Sequence, residues 1–307
     1  MDKKNQKADV LIVGSLALDT IKTPFGEVKD ALGGSAMFAS VAASLFCKPA
    51  IVGVVGEDFP EEHLKMLEKR GIDISAVEKS DKGTFKWEGY YEHDLNVAHT
   101  VKTELNSFEH FEPKVPEHLR ETPFVFLGNI APKLQMSVIG QMKTKPGLSV
   151  SDTMNFWIQQ DKKGVLDVIR KVDIGLMNDG EARMLFNTNS ILKAAQEILK
   201  LDSDIAIIKK GEHGCVLYTD KTHFAAPGYP LEKVLDPTGA GDSFAGAFIG
   251  YLAKTRDLSE KNVRKAIIYG STVASFVAEG FSIDNIKGKT VADIDERYAE
   301  FKKIVEF

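Results

Sequence analysis

Short apolar runs recur along this chain with amphipathic stretches between them, and that alternation limits the possible folds more than any other feature. Val10–Gly14, Ala50–Val55, Phe124–Leu127, Leu148–Ser151, Ile174–Met177 and Ile205–Lys209 read as buried strands. Pro60–Arg70, Lys162–Lys171, Gly180–Phe186 and Ile191–Leu201 carry helical patterns between them. Strands buried on both faces and separated by helices predict an α/β fold: a doubly wound, mostly parallel sheet flanked by helices. From Gly241 onward the pattern is helical only, over Gly241–Leu252, Glu260–Glu279 and Asp293–Val305.

Two segments interrupt the rhythm. Thr20–Leu32 is polar, holds a Pro and a Gly, and follows the first strand where a helix would otherwise begin. Thr84–Ser107 alternates like a strand, with Phe85, Trp87, Gly89 and Tyr91 on one face and Lys86, Glu88, Tyr90 and Glu92 on the other. Residues 18–34 and 84–107 together suggest a small β-sheet lid over the sheet's carboxyl end, with a decorated surface hairpin as the other reading. No internal repeat, low-complexity tract or Pro/Gly/Ser linker divides the chain, so 1–307 reads as a single domain with its lid.

Charge and cysteine usage narrow the ligand. The formal net charge is −5, with 39 basic residues against 44 acidic ones and no basic run longer than two. A surface that tracks nucleic-acid phosphates is therefore excluded, while a local site for an anionic small molecule stays open. Cys47 and Cys215 lie far apart without a CxxC partner, as expected of reduced, structural thiols in a cytosolic protein. The first apolar run is only about five residues long after a charged lead-in. A signal peptide needs roughly 7–15 apolar residues and a membrane span about 20, so a cytoplasmic location and no membrane partner are expected.

The chemistry concentrates in Asp236-Pro-Thr-Gly-Ala-Gly-Asp-Ser-Phe-Ala-Gly-Ala-Phe248. Gly239, Ala240 and Gly241 stand at the start of a helix, where unsatisfied N–H groups and the helix dipole attract an anion. Small residues let a phosphate approach those amides, which makes an anion hole. Pro237 fixes the entry to the turn and Thr238 can cap it. Asp242 falls in the first helical turn, beside the held phosphate. A carboxylate there repels the anion, which points to proton acceptance from an attacking hydroxyl. The alternative is that Asp242 only complements the helix dipole.

The full string resembles the signature of the PfkB/ribokinase family of carbohydrate and nucleoside kinases, and further matches follow in family order from about residue 10 to residue 280. Gly33-Gly34-Ser-Ala36 matches the family's other glycine signature, and Gly14-Ser-Leu-Ala-Leu-Asp19 is similar to the strand that delivers a substrate-binding Asp. Asn178-Asp-Gly-Glu181 matches an Asn-x-x-Glu pattern that arranges phosphates and metal-bound water. Lys209-Lys-Gly211-Glu-His-Gly214 looks like the nucleotide-side segment, and Ser271 lies in the stretch corresponding to the nucleotide-side helix. The resemblance implies a ribokinase-like fold, ATP and Mg²⁺ as cofactors, and a monovalent cation as a further candidate. It implies Asp242 as catalytic base with Gly239, Ala240 and Gly241, and Asp19, Gly33 and Gly34 on the substrate. Asn178, Lys209, Gly211, Gly214, Thr238 and Ser271 would then serve ATP, and Glu181 the metal through water. The acceptor is expected to be a sugar or sugar-like molecule, with a nucleoside as the alternative and a homodimer through the lid as an expectation. Two departures stand out. Ser35-Ala-Met-Phe38 replaces the ribokinases' Lys-Gly-Ala-Asn-type run, against ribose itself, and Tyr269–Gly280 lacks the Asn often found near the adenine.

Asp152 and Asn155 follow a strand at the end where doubly wound sheets bind ligands, as does Asn129, and all three are substrate-side candidates, with a phosphate-bound water as the other partner open to Asp152 and Asn155. An Asx turn is the other reading of Asp152 and Asn155. No HExxH or Cys/His cluster suggests zinc, no GxxxxGK[ST] a P-loop, and no HRD or DFG element a protein kinase. A dinucleotide oxidoreductase would need GxGxxG after the first strand, which is absent. A non-catalytic binding protein would have no use for an intact Asp242 and anion hole.

Overall fold

The computed structural model describes residues 7–306. Strand β1 (Val10–Val13) opens the chain, and a hairpin of β2 (Ala17–Thr23) and β3 (Gly26–Gly33) leads into helix α1 (Ser35–Ala43). Then come β4 (Pro49–Val55), α2 (Glu61–Lys69), β5 (Asp73–Lys79) and a second hairpin of β6 (Phe85–Tyr91) and β7 (Ala98–Glu104). The chain continues through β8 (Phe124–Leu127), α3 (Pro132–Gly140), β9 (Leu148–Ser151), α4 (Asn155–Gln160), α5 (Lys162–Ile169) and β10 (Ile174–Asn178). It ends with α6 (Asp179–Phe186), α7 (Ile191–Leu199), β11 (Ile205–Lys209), β12 (Cys215–Tyr218), β13 (His223–Ala226), α8 (Ala240–Thr255), α9 (Glu260–Ala278) and α10 (Val291–Ile304).

The nine-stranded sheet has the order β13-β12-β11-β10-β9-β8-β1-β4-β5. Strands β5 through β11 in that row are parallel, and β12 and β13 close one edge antiparallel. The expected strands all appear; β5, β12 and β13 were not anticipated, because their partly polar, half-buried sequences do not stand out as apolar runs. Alternate residues of β1 serve two cores. Val10 and Ile12 pack with α1, α8 and α9, whereas Leu11 and Val13 pack with Leu134 and Val138 of α3. Helices on both faces explain why the strand is apolar at every position. The connection order reverses between β1 and β8, so their carboxyl ends flank the crevice where such sheets bind ligands.

The two interrupting segments form one separate four-stranded sheet, β3-β2-β6-β7. The hairpins join through β2 and β6, which run parallel with Asp19 opposite Trp87. Phe85 turns toward the main body and meets Phe108 at 5.9 Å between ring centroids. Among the described residues, no helix is long and apolar enough to cross a membrane.

Helices α1 and α8 touch backbone to backbone. A Cβ added at Gly246 would lie 2.1 Å from the Ala39 carbonyl oxygen, and one at Gly250 2.9 Å from the Ala43 Cα. Glycine is required there by contact rather than by dihedral angle. Gly246→Ala is expected to cost about 1–3 kcal/mol, as overpacking of a filled interior does. Thermal melting should register a drop of about 2 °C per kcal/mol; an unchanged melting temperature would contradict the close approach.

Candidate active site

The turn Asp236–Gly239 ends on the amino terminus of α8. Asp236 is fully buried, and its Oδ1 accepts the Thr238 N–H at 2.9 Å, so the turn is tied by the Asp side chain. The expectation that Thr238 caps the helix is corrected: the Thr238 hydroxyl donates to the Tyr91 hydroxyl at 3.1 Å, and no side chain caps α8. Gly239 is held at φ +75°, where a Cβ would also strike the Phe38 ring at 2.4 Å. Gly241 lies against an ammonium, since a Cβ there would be 3.1 Å from Lys209 Nζ. The predicted anion hole thus has a positive charge beside it.

That charge belongs to a buried cluster at the carboxyl ends of three neighbouring strands. Lys209 Nζ, from the end of β11, meets Asp152 Oδ2 at 2.5 Å. Burial opposes the Lys209 charge, but Asp152, Glu181 and Asp242 around it outweigh burial and hold it protonated. Asn178 and Glu181 form a capping box at the start of α6: Asn178 Oδ1 accepts the Glu181 N–H at 2.8 Å, and Glu181 Oε2 accepts the Asn178 N–H at 2.7 Å. Burial, reinforced by Asp152, pushes the Glu181 carboxyl up to about 8. Burial and then Asp152 likewise push the half-buried Asp242 up to about 7, with Lys209 pulling the other way. A carboxyl with that pKa is matched to proton acceptance near neutral pH, which a simple dipole partner does not require.

Beside the cluster lies a cavity of about 600 Å³. Lys209, Gly211, Gly214, Ala240, Gly241 and Ser271 of the expected set line it. Gly214, at φ +80°, brings the chain against Ala226, whose carbonyl oxygen would be 2.1 Å from a Cβ there. Thr238 and Asn178 do not line it; the first is turned toward Tyr91 and the second is spent on the capping box. Missed from the sequence were Tyr229, Phe244, Ala274, Ser275 and Ala278, and the residues 93–96 between β6 and β7. Ser271, Ala274, Ser275 and Ala278 recur at helical spacing as a stripe of small residues, and that pattern was available. Arg297 of α10 supports the wall from behind. It donates to Ser275 Oγ at 3.0 Å and Glu279 Oε2 at 2.8 Å, and its guanidinium lies 3.5 Å from the Phe276 ring centroid.

On the other side of the turn stands Asp19, buried in the small sheet. Gly33 leaves it room, since a Cβ there would fall 1.9 Å from Asp19 Oδ2. Gly34, at φ +96°, begins α1 against the Ser15 carbonyl. Burial, then the charges of Asp236 and Asp242, push Asp19 up to about 8, with the Gly34 and Trp87 backbone amides partly offsetting them. Asn129 Oδ1, after β8, is buried with no hydrogen-bond partner. Asp152, expected on the substrate, instead pairs with Lys209 and faces Glu181 and Asp242. Asn155 stands apart; it is exposed, and its Oδ1 accepts the neighbouring Phe156 N–H at 2.8 Å.

A doubly wound sheet that gathers an anion hole, a poised carboxyl and a buried ammonium beside a nucleotide-sized cavity defines a phosphotransferase. Residues 7–286 match the pfkB family carbohydrate kinase profile, and the chain belongs to that family. Its members are ATP-dependent kinases that phosphorylate hydroxyl groups, and so is this chain. It is 27% identical over 257 residues to the cytidine kinase of Thermococcus kodakarensis, covering 82% of this chain and 91% of that protein. It is 24% identical over 287 residues to the ribokinase of Lactococcus lactis, covering 88% and 92%. The nucleoside kinase structure from Methanocaldococcus jannaschii superimposes with a TM-score of 0.76 at 24% identity, covering 96% of this chain and 100% of that one. Fructokinase from Vibrio cholerae does so with a TM-score of 0.80 at 18% identity, covering 95% and 99%. The fold is ribokinase-like.

Asp242→Asn keeps the shape but removes the base, and a fall of roughly 10²–10⁴ in kcat is expected with ATP binding retained. If Asp242 is the base and Asp19 holds the acceptor as a carboxylate, wild-type kcat/KM for the acceptor should rise steeply with pH as Asp242 ionises near 7 and level off only above about 8, where Asp19 is ionised too. More than half of wild-type kcat in Asp242→Asn, or a profile flat from pH 5 to 8, would remove Asp242 as the base.

Proposed function

We propose that the enzyme transfers the γ-phosphate of ATP to a hydroxyl of a small sugar or sugar-like molecule. The reading rests on one juxtaposition: Asp19, buried beside Gly33, lies close enough to Asp242 and Asp236 for their charges to raise its pKa. A carboxylate that fixes an acceptor hydroxyl stands next to a base that takes its proton. Asn129 Oδ1, buried and unpartnered, offers a second acceptor for a substrate hydroxyl.

ATP fits the cavity bounded by Gly211, Gly214 and Ser271, with its phosphates toward Gly241 and Lys209. The residues also fit Mg²⁺. Asp152, Glu181 and Asp242 crowd around one ammonium, and the repulsion that helps raise Glu181 and Asp242 is what a divalent cation would offset. Among the described residues, no group of three or more His, Cys, Asp or Glu is arranged to hold a metal ion alone. The ion would therefore rest on the phosphates, with Glu181 acting through water, and would neutralise charge on the transferring group. The amides of Gly239 and Gly241 and the Lys209 ammonium stabilise that charge where it develops, while the Ala240 N–H is spent on the Pro237 carbonyl oxygen at 3.1 Å. Asp242 accepts the proton of the attacking hydroxyl. Asp152 keeps Lys209 charged and in place.

A monovalent cation remains part of the proposal. Potassium accompanies fructose and ADP in a solved form of a Vibrio cholerae fructokinase variant, and here Asp236 Oδ2 is a buried oxygen without a partner beside the phosphate turn. The small sheet is read as a lid that excludes water during transfer, with pairing of two lids in a homodimer as a further expectation. The two free cysteines, Cys47 and Cys215, support a cytoplasmic setting. A nucleoside acceptor is the second reading, favoured by the cytidine kinase of Thermococcus kodakarensis.

ATP turnover across a panel of free hexoses, pentoses, polyols and nucleosides separates these readings. The highest kcat/KM is expected on a free sugar or polyol; a tenfold advantage for nucleosides transfers the assignment to the second reading, and turnover with neither class overturns both. On the substrate so found, Asp19→Ala should weaken acceptor binding roughly 10- to 150-fold, the loss of a charged hydrogen bond. Calorimetry should find ATP affinity unchanged, and equal acceptor affinity in the variant would refute the role of Asp19.

A further inference from the structure

Strand β6 connects the two halves of the site. It begins at Phe85 opposite Ala17, passes Asp19 at Trp87, and ends at Tyr91. The four steps from Trp87 to Tyr91 cover about 13 Å of extended chain. At that far end, the Tyr91 hydroxyl receives the Thr238 hydroxyl at 3.1 Å, across a sequence separation of 147 residues. Among the described residues this is the one hydrogen bond between the small sheet and the Asp236–Gly241 turn.

The turn needs such a contact. Asp236 fixes the Thr238 backbone through its N–H, but no side chain caps α8 and Gly239 has no side chain to pack. The Thr238 side chain is held from the other sheet, through its hydroxyl's bond to Tyr91. A tyrosine suits this role because its hydroxyl stands far enough from the backbone of β6 to reach the turn.

We propose that Tyr91 is a positioning residue for phosphoryl transfer: it latches the lid to the phosphate turn, so that the anion hole takes its working geometry when β6 lies over the acceptor. The proposal rests on the reading of Gly239–Gly241 as the phosphate cradle and of the small sheet as a lid. Tyr91 makes no bond to the reacting atoms. Its effect is on the rate of transfer, not on nucleotide affinity.

Tyr91→Phe removes the hydroxyl and keeps the ring, and Thr238→Val removes the other partner. Each is expected to lower kcat for transfer about 2- to 12-fold, the rate equivalent of one neutral hydrogen bond, with the KM for ATP changed less than about twofold. The double variant should lose no more than either single one, because both remove the same bond. If the valine variant fails to fold, Tyr91→Phe alone carries the test. A wild-type kcat in Tyr91→Phe, losses that multiply in the double variant, or a defect confined to the KM for ATP each overturn the latch. Asp242→Asn in the same assay separates the two levels. If it remains active, the reading of Asp236–Asp242 as the site of transfer fails, and the latch with it; if it is inactive while Tyr91→Phe is unaffected, only the latch fails.

Discussion

The parallel contact of α1 with α8 is the constraint on which the rest of the site depends. Phe38, Ala39 and Ala43 of α1 meet Gly239, Gly246 and Gly250 of α8 in rising order along both helices, so the two amino termini lie at the same end. One terminus carries Gly33-Gly34 beside Asp19, and the other carries Gly239–Gly241 beside Lys209. Two helix amino termini of like partial charge therefore converge on the proposed transfer site; at α1 the Ser35 N–H is spent on Ser15 Oγ at 3.0 Å and the Ala36 N–H on the Ser15 carbonyl at 3.0 Å, which leaves the α8 end for the anion. The two glycine signatures, some 200 residues apart in sequence, describe the two ends of one packed pair.

The convergence of acids around this pair costs stability. Asp19 and Glu181 are pushed up to about 8 and Asp242 to about 7, whereas an unfolded carboxyl titrates near 4. Between those values the folded chain binds more protons than the unfolded one, so the unliganded enzyme loses stability from this cluster as pH rises from about 4 toward 8. Lys209 offsets part of the repulsion, and bound cations offset more. Functional sites commonly hold such unfavourable arrangements, and the densely packed sheet and helices around this one tolerate it.

Much of this architecture was legible in the chain, for identifiable reasons. Strands such as Ala50–Val55 are apolar at every position because helices cover both faces. The string from Asp236 to Asp242 is legible because each Gly meets a contact or a dihedral that other residues cannot. The pairing of β2 with β6 was not, since it joins hairpins some 60 residues apart with no local sequence signal. Asp152 was placed at the right strand end but with the wrong neighbours, because only the fold brings Lys209 to it. Thr238 was read as a cap for the same reason: its true partner, Tyr91, comes from another sheet.

The hairpin that carries Tyr91 also reaches the nucleotide side. Beyond β6, Asn96 Nδ2 meets Glu212 Oε1 at 3.4 Å, and its Oδ1 would be 1.9 Å from a Cβ at Gly211, so the tip rests on the loop that edges the cavity. One hairpin thus borders both the Asp19 side and the cavity. If that hairpin is the lid proposed above, the departure of ADP and the departure of the phosphorylated product share a single gate. In such an enzyme the frequency at which that gate lifts sets a ceiling on turnover, however fast the proton and phosphoryl group move beneath it.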